Sequence, residues 1–303
     1  MQRLKLGKHL SIVLMPKTLA QFGYDKLFQA RPRAIARLPE PQAGMQEQFY
    51  NSDVDIVLAG SGAGTGKTVA LALLCAKHVK NKKFRATIFR RTYQEFIDPG
   101  GLLDETSNIY PLIGGTFNQQ KMDWIFPSGA KISFRHLQYE KTIYRYQGSQ
   151  ICYLCYDELT HYSATQFWYL LSRNRSNSGI KPVIRATCNP DPESFVYQLV
   201  EWYLDDDGYP DPKKSGIVRY FYRSGEELVW DNSLKGLAKQ FLEKKILTDK
   251  IVNGKQCSAA IRIRGQWHTG KTANALKNRI LSDNKLLEEL PIKSFTFLPS
   301  SIF

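Results

Sequence analysis

The sequence predicts an α/β protein whose central, mainly parallel sheet is sandwiched by helices, and three stretches carry that prediction. Asp55 to Val69 reads as an apolar strand, a glycine-rich turn and a helix start in immediate succession. Ile151 to Glu158 is an apolar strand that ends in two carboxylates, and Lys181 to Cys188 is a further strand that runs into Asn189-Pro190. Apolar strands alternating with helical patterns are the mark of βαβ units, in which helices cover both faces of a parallel sheet. At 303 residues and 43% hydrophobic content, the chain can bury one large core, or a core plus a smaller subdomain.

Taken in order, residues 1 to 40 place Arg31, Arg33 and Arg37 among Pro32 and Pro39, which reads as a basic N-terminal arm outside the sheet. Pro41 to Tyr50 is a short amphipathic segment. Its Gln46 carries an amide that gives and takes hydrogen bonds at once, as the N6 and N7 edge of adenine requires, and a solvent-facing helix glutamine is the plain alternative. The turn that follows, Ser61-Gly62-Ala63-Gly64-Thr65-Gly66-Lys67-Thr68, matches G-x-x-x-x-G-K-[ST], with Ser61 at the first glycine position. Such a loop between strand and helix lines an anion-sized hollow with backbone N–H groups. Lys67 then reaches the β- and γ-phosphates, and the Thr68 hydroxyl ligates Mg²⁺. The chain is therefore expected to have the P-loop NTPase fold and to bind ATP with Mg²⁺.

Arg85 to Arg90 reads as the next strand, placing Arg90 and Arg91 at its carboxyl end, the edge that faces the ligand in open α/β sheets. Each arginine can neutralise phosphate charge there or make a surface salt bridge. Alternating runs between Thr116 and Arg135, broken by Pro127-Ser-Gly129, predict a β-hairpin or short meander inserted into the core. The strand ending at Asp157-Glu158 divides the chemistry between its two acids. Asp157 is expected to hold Mg²⁺ opposite Thr68, and Glu158 to orient and polarise the water that attacks the γ-phosphorus. Ser163 to Leu171 has the capping serine and apolar spacing of a helix packed on the sheet. Asn189 is placed to sense the γ-phosphate or simply to start an Asn-Pro turn.

Charge and cysteine content narrow the class. Lys plus Arg outnumber Asp plus Glu by 42 to 28, a formal +14 that favours a polyanionic partner. The five cysteines are scattered, and Cys152-x-x-Cys155 lies inside an apolar run, where strand alternation predicts core-filling thiols on opposite faces. No stretch of eighteen apolar residues is present, and the apolar run Leu10 to Leu14 is too short for a secretory signal. Gly270-Lys271-Thr272 imitates a phosphate loop without its strand and glycines, and is read as chance.

Residues 41 to 190 resemble the ATPase domain of the large terminase subunit of tailed bacteriophages and prophages, the motor that pumps DNA into the procapsid. The resemblance rests on Gln46, the phosphate loop, Arg90-Arg-Thr-Tyr93, Tyr146-Gln-Gly-Ser149, Tyr156-Asp-Glu-Leu-Thr-His161, Leu171-Ser-Arg173 and Thr187-Cys-Asn-Pro190, over about half of the chain. It implies that Gln46 is the adenine-side residue, Lys67 and Thr68 serve the phosphates and metal, and Asp157 and Glu158 are the metal-binding and catalytic carboxylates. Thr187 to Pro190 matches the motif that couples hydrolysis to DNA movement. Many members carry an arginine inside the phosphate loop, whereas this chain has Ala63, leaving Arg91 or a neighbouring subunit as the source of that charge. The implied partners are double-stranded DNA, a portal protein and a small terminase subunit, in a homo-oligomeric ring in the host cytoplasm.

Ser294 to Ser300 resembles the family's last ATPase-domain segment, after which full-length members continue into an RNase H-like nuclease, and no nuclease site is expected here. The expected organisation is an arm over 1–40, a P-loop core over 41–205 and a basic lid or linker subdomain over 206–303. Two rivals stand beside the motor: a helicase-like DNA-dependent ATPase, and an assembly module that binds nucleotide without hydrolysing it.

Overall fold

Six parallel strands form because five largely apolar runs and the alternating run of residues 131–136 share one direction, and every crossover between them is long enough to return over a face of the sheet. The computed structural model describes residues 3–5, 11–13, 38–60, 62 and 64–299. Ser61, Ala63, the three arginines of the arm and Ser300 lie outside the described residues. The chain divides into a unit of residues 1–37 and a unit of residues 38–303. Within the first, Arg3–Lys5 (β1) and Ser11–Val13 (β2) pair antiparallel.

The second unit runs through Met45–Asn51 (α1), Ile56–Gly60 (β3), Lys67–Ala76 (α2), Arg85–Arg90 (β4), Gln94–Ile97 (α3) and Leu102–Ile109 (α4). Thr116–Asn118 (β5), Asp123–Ile125 (β6), Lys131–His136 (β7), Tyr153–Tyr156 (β8), Ala164–Leu171 (α5), Val183–Cys188 (β9) and Tyr197–Val200 (α6) follow. Next come Arg219–Ser224 (β10), Glu227–Asp231 (β11), Leu234–Lys245 (α7), Leu247–Val252 (β12), Lys255–Ile263 (β13) and Gln266–Gly270 (β14). Ala273–Ser282 (α8), Asn284–Glu289 (α9) and Lys293–Pro299 (β15) end the described chain.

Ten strands make one sheet in the order β11-β10-β15-β3-β9-β8-β4-β7-β6-β5. The six from β15 to β7 are parallel, and antiparallel pairs extend both edges. The predicted α/β class is the observed one, and the strands between Thr116 and Arg135 lengthen the sheet at its edge. Alternation explains the sandwich. In β3, Val57 and Ala59 face the layer of α2 and α4, while Ile56 and Leu58 face the layer that contains α5. Each fully buried large apolar side chain stabilises the fold by roughly 1.5–3 kcal/mol, so two such layers dominate the stability of the unit.

Two expectations change. Residues 206–303 do not stand apart as one subdomain, because β10, β11 and β15 enter the main sheet and β15 lies parallel to β3. The intervening residues add a small antiparallel sheet of β12, β13 and β14 that packs on α8, while α7 packs on α8 and on β10 and β11 of the main sheet. Cys152 and Cys155 do not point to opposite faces: Cys152 precedes β8, where alternation has not begun, and both thiols fill the layer that holds α2. Gly270-Lys-Thr272 joins β14 to α8, with Thr272 capping the helix through Ala275 N.

Gly60, the last residue of β3, has Cys188 on one side and Pro299 on the other. A Cβ there would overlap the Phe297 ring of β15. Gly60→Ala is therefore expected to cost about 1–3 kcal/mol by overpacking, read as a lower urea midpoint at unchanged m-value. Combining it with Phe297→Leu should lose less than the sum of the two single changes.

Candidate active site

The parallel register sets the carboxyl ends of three strands level. Gly60 of β3 pairs with Cys188 of β9, and Ala186 of β9 pairs with Tyr156 of β8. The loop after β3 therefore opens beside Asn189, and the acids after β8 open beside Thr187. Gly66 caps α2 at φ +73, a left-handed conformation, and a Cβ there would overlap the Gln46 amide. Gly64 also has positive φ, at +83.

Lys67 begins α2 and is buried, with Nζ donating to Gly62 O at 2.8 Å and to Asn189 Oδ1 at 3.0 Å. Asn189 in turn donates from its backbone N to Glu158 Oε2 at 2.9 Å and from Nδ2 to Oε1 at 3.4 Å. One amide thus joins the lysine to the glutamate. Glu158 leaves β8 at φ +59 and ψ +69. A non-glycine residue held in that region carries strain that the surroundings must impose, a feature that clusters at functional sites.

Thr187 supplies part of that restraint. Its hydroxyl donates to Asp157 Oδ1 at 2.7 Å and accepts from Glu158 N at 3.1 Å, so one buried group serves both acids. Arg90 holds the other carboxylate oxygen, with Nε donating to Asp157 Oδ2 at 2.8 Å and Nη2 also paired with Oδ2. The remaining guanidinium nitrogen donates to Glu95 O at 2.7 Å. Asp157 is only 2% exposed, so this pairing is what makes its burial tolerable. The neighbouring Cys188 thiol is pushed up to about 12, chiefly by burial and further by the Glu158 charge, against the opposing effect of Lys67. It stays neutral near pH 7 and acts as packing.

Residues 58–271 match the family described as terminase large subunit, T4likevirus-type, N-terminal. The chain belongs to the terminase large subunit family. Among solved structures, it is similar to the large terminase from a thermophilic bacteriophage at 13% identity and a TM-score of 0.43, over 56% of this chain and 45% of that one. The Thermus phage P74-26 large terminase ATPase domain matches at 12% identity and a TM-score of 0.41, over 57% of this chain and 78% of that one. The N-terminal domain of the DNA packaging ATPase from bacteriophage phi29 matches at 13% identity and a TM-score of 0.40, over 63% and 94%. The aligned part amounts to less than half the length of the thermophilic-bacteriophage large terminase. No curated protein matches the sequence.

In this terminase chain the predicted residues divide into those gathered at the site and those placed elsewhere. Gln46 is buried, not solvent-facing. Its Nε2 donates to Gly66 O at 3.2 Å and its Oε1 accepts from Gln42 N at 3.0 Å, so it braces the phosphate loop from behind. Thr65 donates to Gly62 O at 3.4 Å. Thr68 follows Lys67 in the first turn of α2 and is half-buried.

Arg91 is not at the site. It points away to Leu137 O and Gln166 Oε1, both at 3.5 Å, because consecutive residues of a strand end diverge to opposite faces. The inward-facing arginine is Arg90, and its role as the holder of Asp157 is not separable from that of Arg91 by spacing alone. Thr187 enters the sequence reading only as the first residue of the coupling motif that the resemblance implies, and its hold on both acids is not read there. The residue-level signal is a hydroxyl side chain two positions before Asn189, near the end of a fully buried strand.

The oxygen donors here, the Thr68 hydroxyl and the Asp157 carboxylate, are the hard donors Mg²⁺ takes together with phosphate oxygens and water. That donor set fits the ion, with Asp157 already engaged by Arg90 and Thr187. Among the described residues no group of three or more His, Cys, Asp or Glu could hold a metal by itself. The described residues also contain no helix long and apolar enough to cross a membrane.

Thr187→Val should leave Asp157 Oδ1 and Glu158 N without their partner in a buried setting. The expected loss is about 1–3 kcal/mol in urea unfolding, and Thr187→Ser should recover most of it. Equal stability of Thr187→Val and wild type would contradict the bridging hydroxyl.

Proposed function

We propose that this chain binds and hydrolyses ATP and uses the cycle to move double-stranded DNA into a procapsid. The observation that carries the reading is the hydrogen-bonded path from Lys67 through Asn189 to Glu158, which joins a phosphate-loop lysine to an acid on a neighbouring strand end. Backbone N–H groups of the glycine-rich loop that leads into α2 receive the β- and γ-phosphates at the helix N-terminus. Lys67 neutralises phosphate charge as it builds. Glu158 accepts a proton from the attacking water and orients it toward the γ-phosphorus. Thr68 and Asp157 would hold Mg²⁺, which when bound neutralises phosphate oxygens.

Asn189 is the residue that senses the nucleotide. It contacts Lys67 and Glu158 at once, so arrival or departure of a γ-phosphate between those two groups changes its partners and moves the loop after β9. Gln46 recognises the adenine side while bracing Gly66, which links base recognition to loop shape. Arg90 fixes Asp157, and a transition-state arginine comes from a neighbouring subunit of a ring rather than from Arg91. Portal protein, small terminase subunit and a host-cytoplasmic setting complete the reading. They rest on membership of the family, whose full-length members are longer than the aligned part of this chain.

The test is Glu158→Gln. Binding of a fluorescent ATP analogue should stay within about twofold of wild type, while turnover falls by roughly 10²–10⁴-fold, the usual contribution of a positioned general base. Long duplex DNA should raise the wild-type rate. A Glu158→Gln chain that turns over ATP as fast as wild type would contradict the hydrolytic assignment, and stronger stimulation by single strands than by duplex would favour a helicase-like enzyme.

A further inference from the structure

The excess positive charge of this protein is not spread over it. Residues 38–233, which hold the phosphate loop and both acids, contain 21 Lys or Arg against 22 Asp or Glu, a net of −1. Residues 234–290, which carry α7 to α9 and the small sheet, contain 12 against 5, a net of +7 in 57 residues. The rest of the +14 comes from the first 37 residues and Lys293. The two regions also differ in how their charges are partnered. The core neutralises its cations internally, through pairs such as Arg90 with Asp157, Arg135 with Asp123 and Lys181 with Asp55. Within residues 234–290, the ion pair found among the described residues is Lys277 with Glu243.

The acids of this segment are set apart as well. Asp283, Glu288 and Glu289 cluster on and just before α9, where the Asp283 carboxylate caps the helix by accepting from Lys285 N and Leu286 N. What remains from 234 to 282 is eleven Lys or Arg against Glu243 and Asp249. Ten of those eleven cations are exposed, Lys277 being the exception.

Their arrangement has shape. β12 and the first half of β13 form a ribbon whose residues are mostly exposed apart from Val252, and Lys250 and Lys255 stand in solvent on either side of its turn. Between that ribbon and α8 lies a cleft of about 520 Å³, lined by Ser258, Thr269, Lys271 and Arg279 among others and by no carboxylate. Two cations and two hydroxyls around an open cleft suit phosphate oxygens. A segment with so large a cationic excess costs stability by self-repulsion unless a polyanion relieves it.

We propose that this face of the small-sheet subdomain, the β12–β13 ribbon with Lys250 and Lys255 and the cleft with Lys271 and Arg279, is where the chain grips the phosphate backbone of double-stranded DNA. The proposal rests on the motor reading for the identity of the polyanion and adds the surface that holds it. The nucleotide core is electrically neutral overall and contributes little to DNA affinity. Contact is made through phosphates and is independent of base sequence, as a translocating grip requires. β10, β11 and β15 then tie the gripping subdomain to β3, the strand that ends in the phosphate loop.

The experiment is fluorescence anisotropy of a labelled duplex of about 30 base pairs, long enough to span several phosphate contacts, with the whole chain, titrated at several salt concentrations. The gripping variant is Lys250→Gln, Lys255→Gln, Lys271→Gln and Arg279→Gln together. The control removes four exposed core cations by Lys80→Gln, Lys82→Gln, Lys83→Gln and Lys141→Gln. Melting followed by circular dichroism checks that both variants are folded. The gripping variant should bind at least about tenfold more weakly near 0.1 M salt, with a log K against log salt slope shallower by roughly 0.9 for each phosphate it no longer neutralises. The control should stay near wild type in affinity and slope. A gripping variant with wild-type affinity and slope, or a control that weakens as much, overturns the proposal while leaving the motor reading in place. A wild-type chain that binds no duplex at any salt overturns both.

Discussion

Strand β9 lies between the strand that ends in the phosphate loop and the strand that ends in the two acids, and everything at the site follows from that position. Thr187 and Asn189, two residues apart, turn sideways to the two neighbours. The hydroxyl holds Asp157 and the backbone of Glu158, and the amide holds Lys67 and the Glu158 carboxylate. A strand between lysine and acid leaves space at the sheet's edge while keeping both within reach of one residue. The parallel register keeps the three ends level. A one-residue slip of β9 would send Thr187 and Asn189 to the opposite face, and the buried Asp157 would lose a partner it cannot replace.

Burial of charge is the cost of this arrangement, and the chain meets it with matched donors. Arg90 and Thr187 cover Asp157 on both carboxylate oxygens. Inside β9, Arg185 is 1% exposed and donates through its terminal nitrogens to the carbonyls of Val54, Ile184 and Ser52, fastening the turn that leads into β3, while its buried Nε has no hydrogen-bond partner among the described residues. Burial pulls that guanidinium down to about 10, so it remains charged at neutral pH. Such groups add little net stability, whereas removing one partner of a buried pair costs a great deal. The small-sheet subdomain follows the opposite rule. Its cations are solvated and largely unpaired within the segment, which suits a surface meant for an external partner.

The fold class and much of the site are legible in the sequence, for physical reasons that also mark where reading stops. The phosphate loop is readable because glycines at Gly64 and Gly66 leave little choice of backbone, and the acids because an apolar strand must deliver its terminal residues at one edge. What is not readable depends on contacts between distant parts of the chain. Asp55 and Ser294 bond across 239 residues and seat β15 beside β3, a pairing that the resemblance of Ser294 to Ser300 to a last ATPase-domain segment hints at but that no local pattern fixes. Arg90 and Arg91 differ only in which face of the strand end they take, a matter of one residue's phase. Strand alternation misjudges the face of Cys152 because the regular strand begins at Tyr153, two residues after the apolar run starts at Ile151.

The most direct measurement is a crystal structure of the chain with Mg²⁺ and a non-hydrolysable ATP analogue. The γ-phosphate should lie between Lys67 Nζ and the Glu158 carboxylate, with Asn189 in contact with it or with both groups and Gln46 on the adenine side. Nucleotide bound away from the carboxyl ends of β3, β9 and β8, or Lys67 and Glu158 parted so that the phosphate touches only one, would contradict the convergence of the three strand ends on a single hydrolytic site.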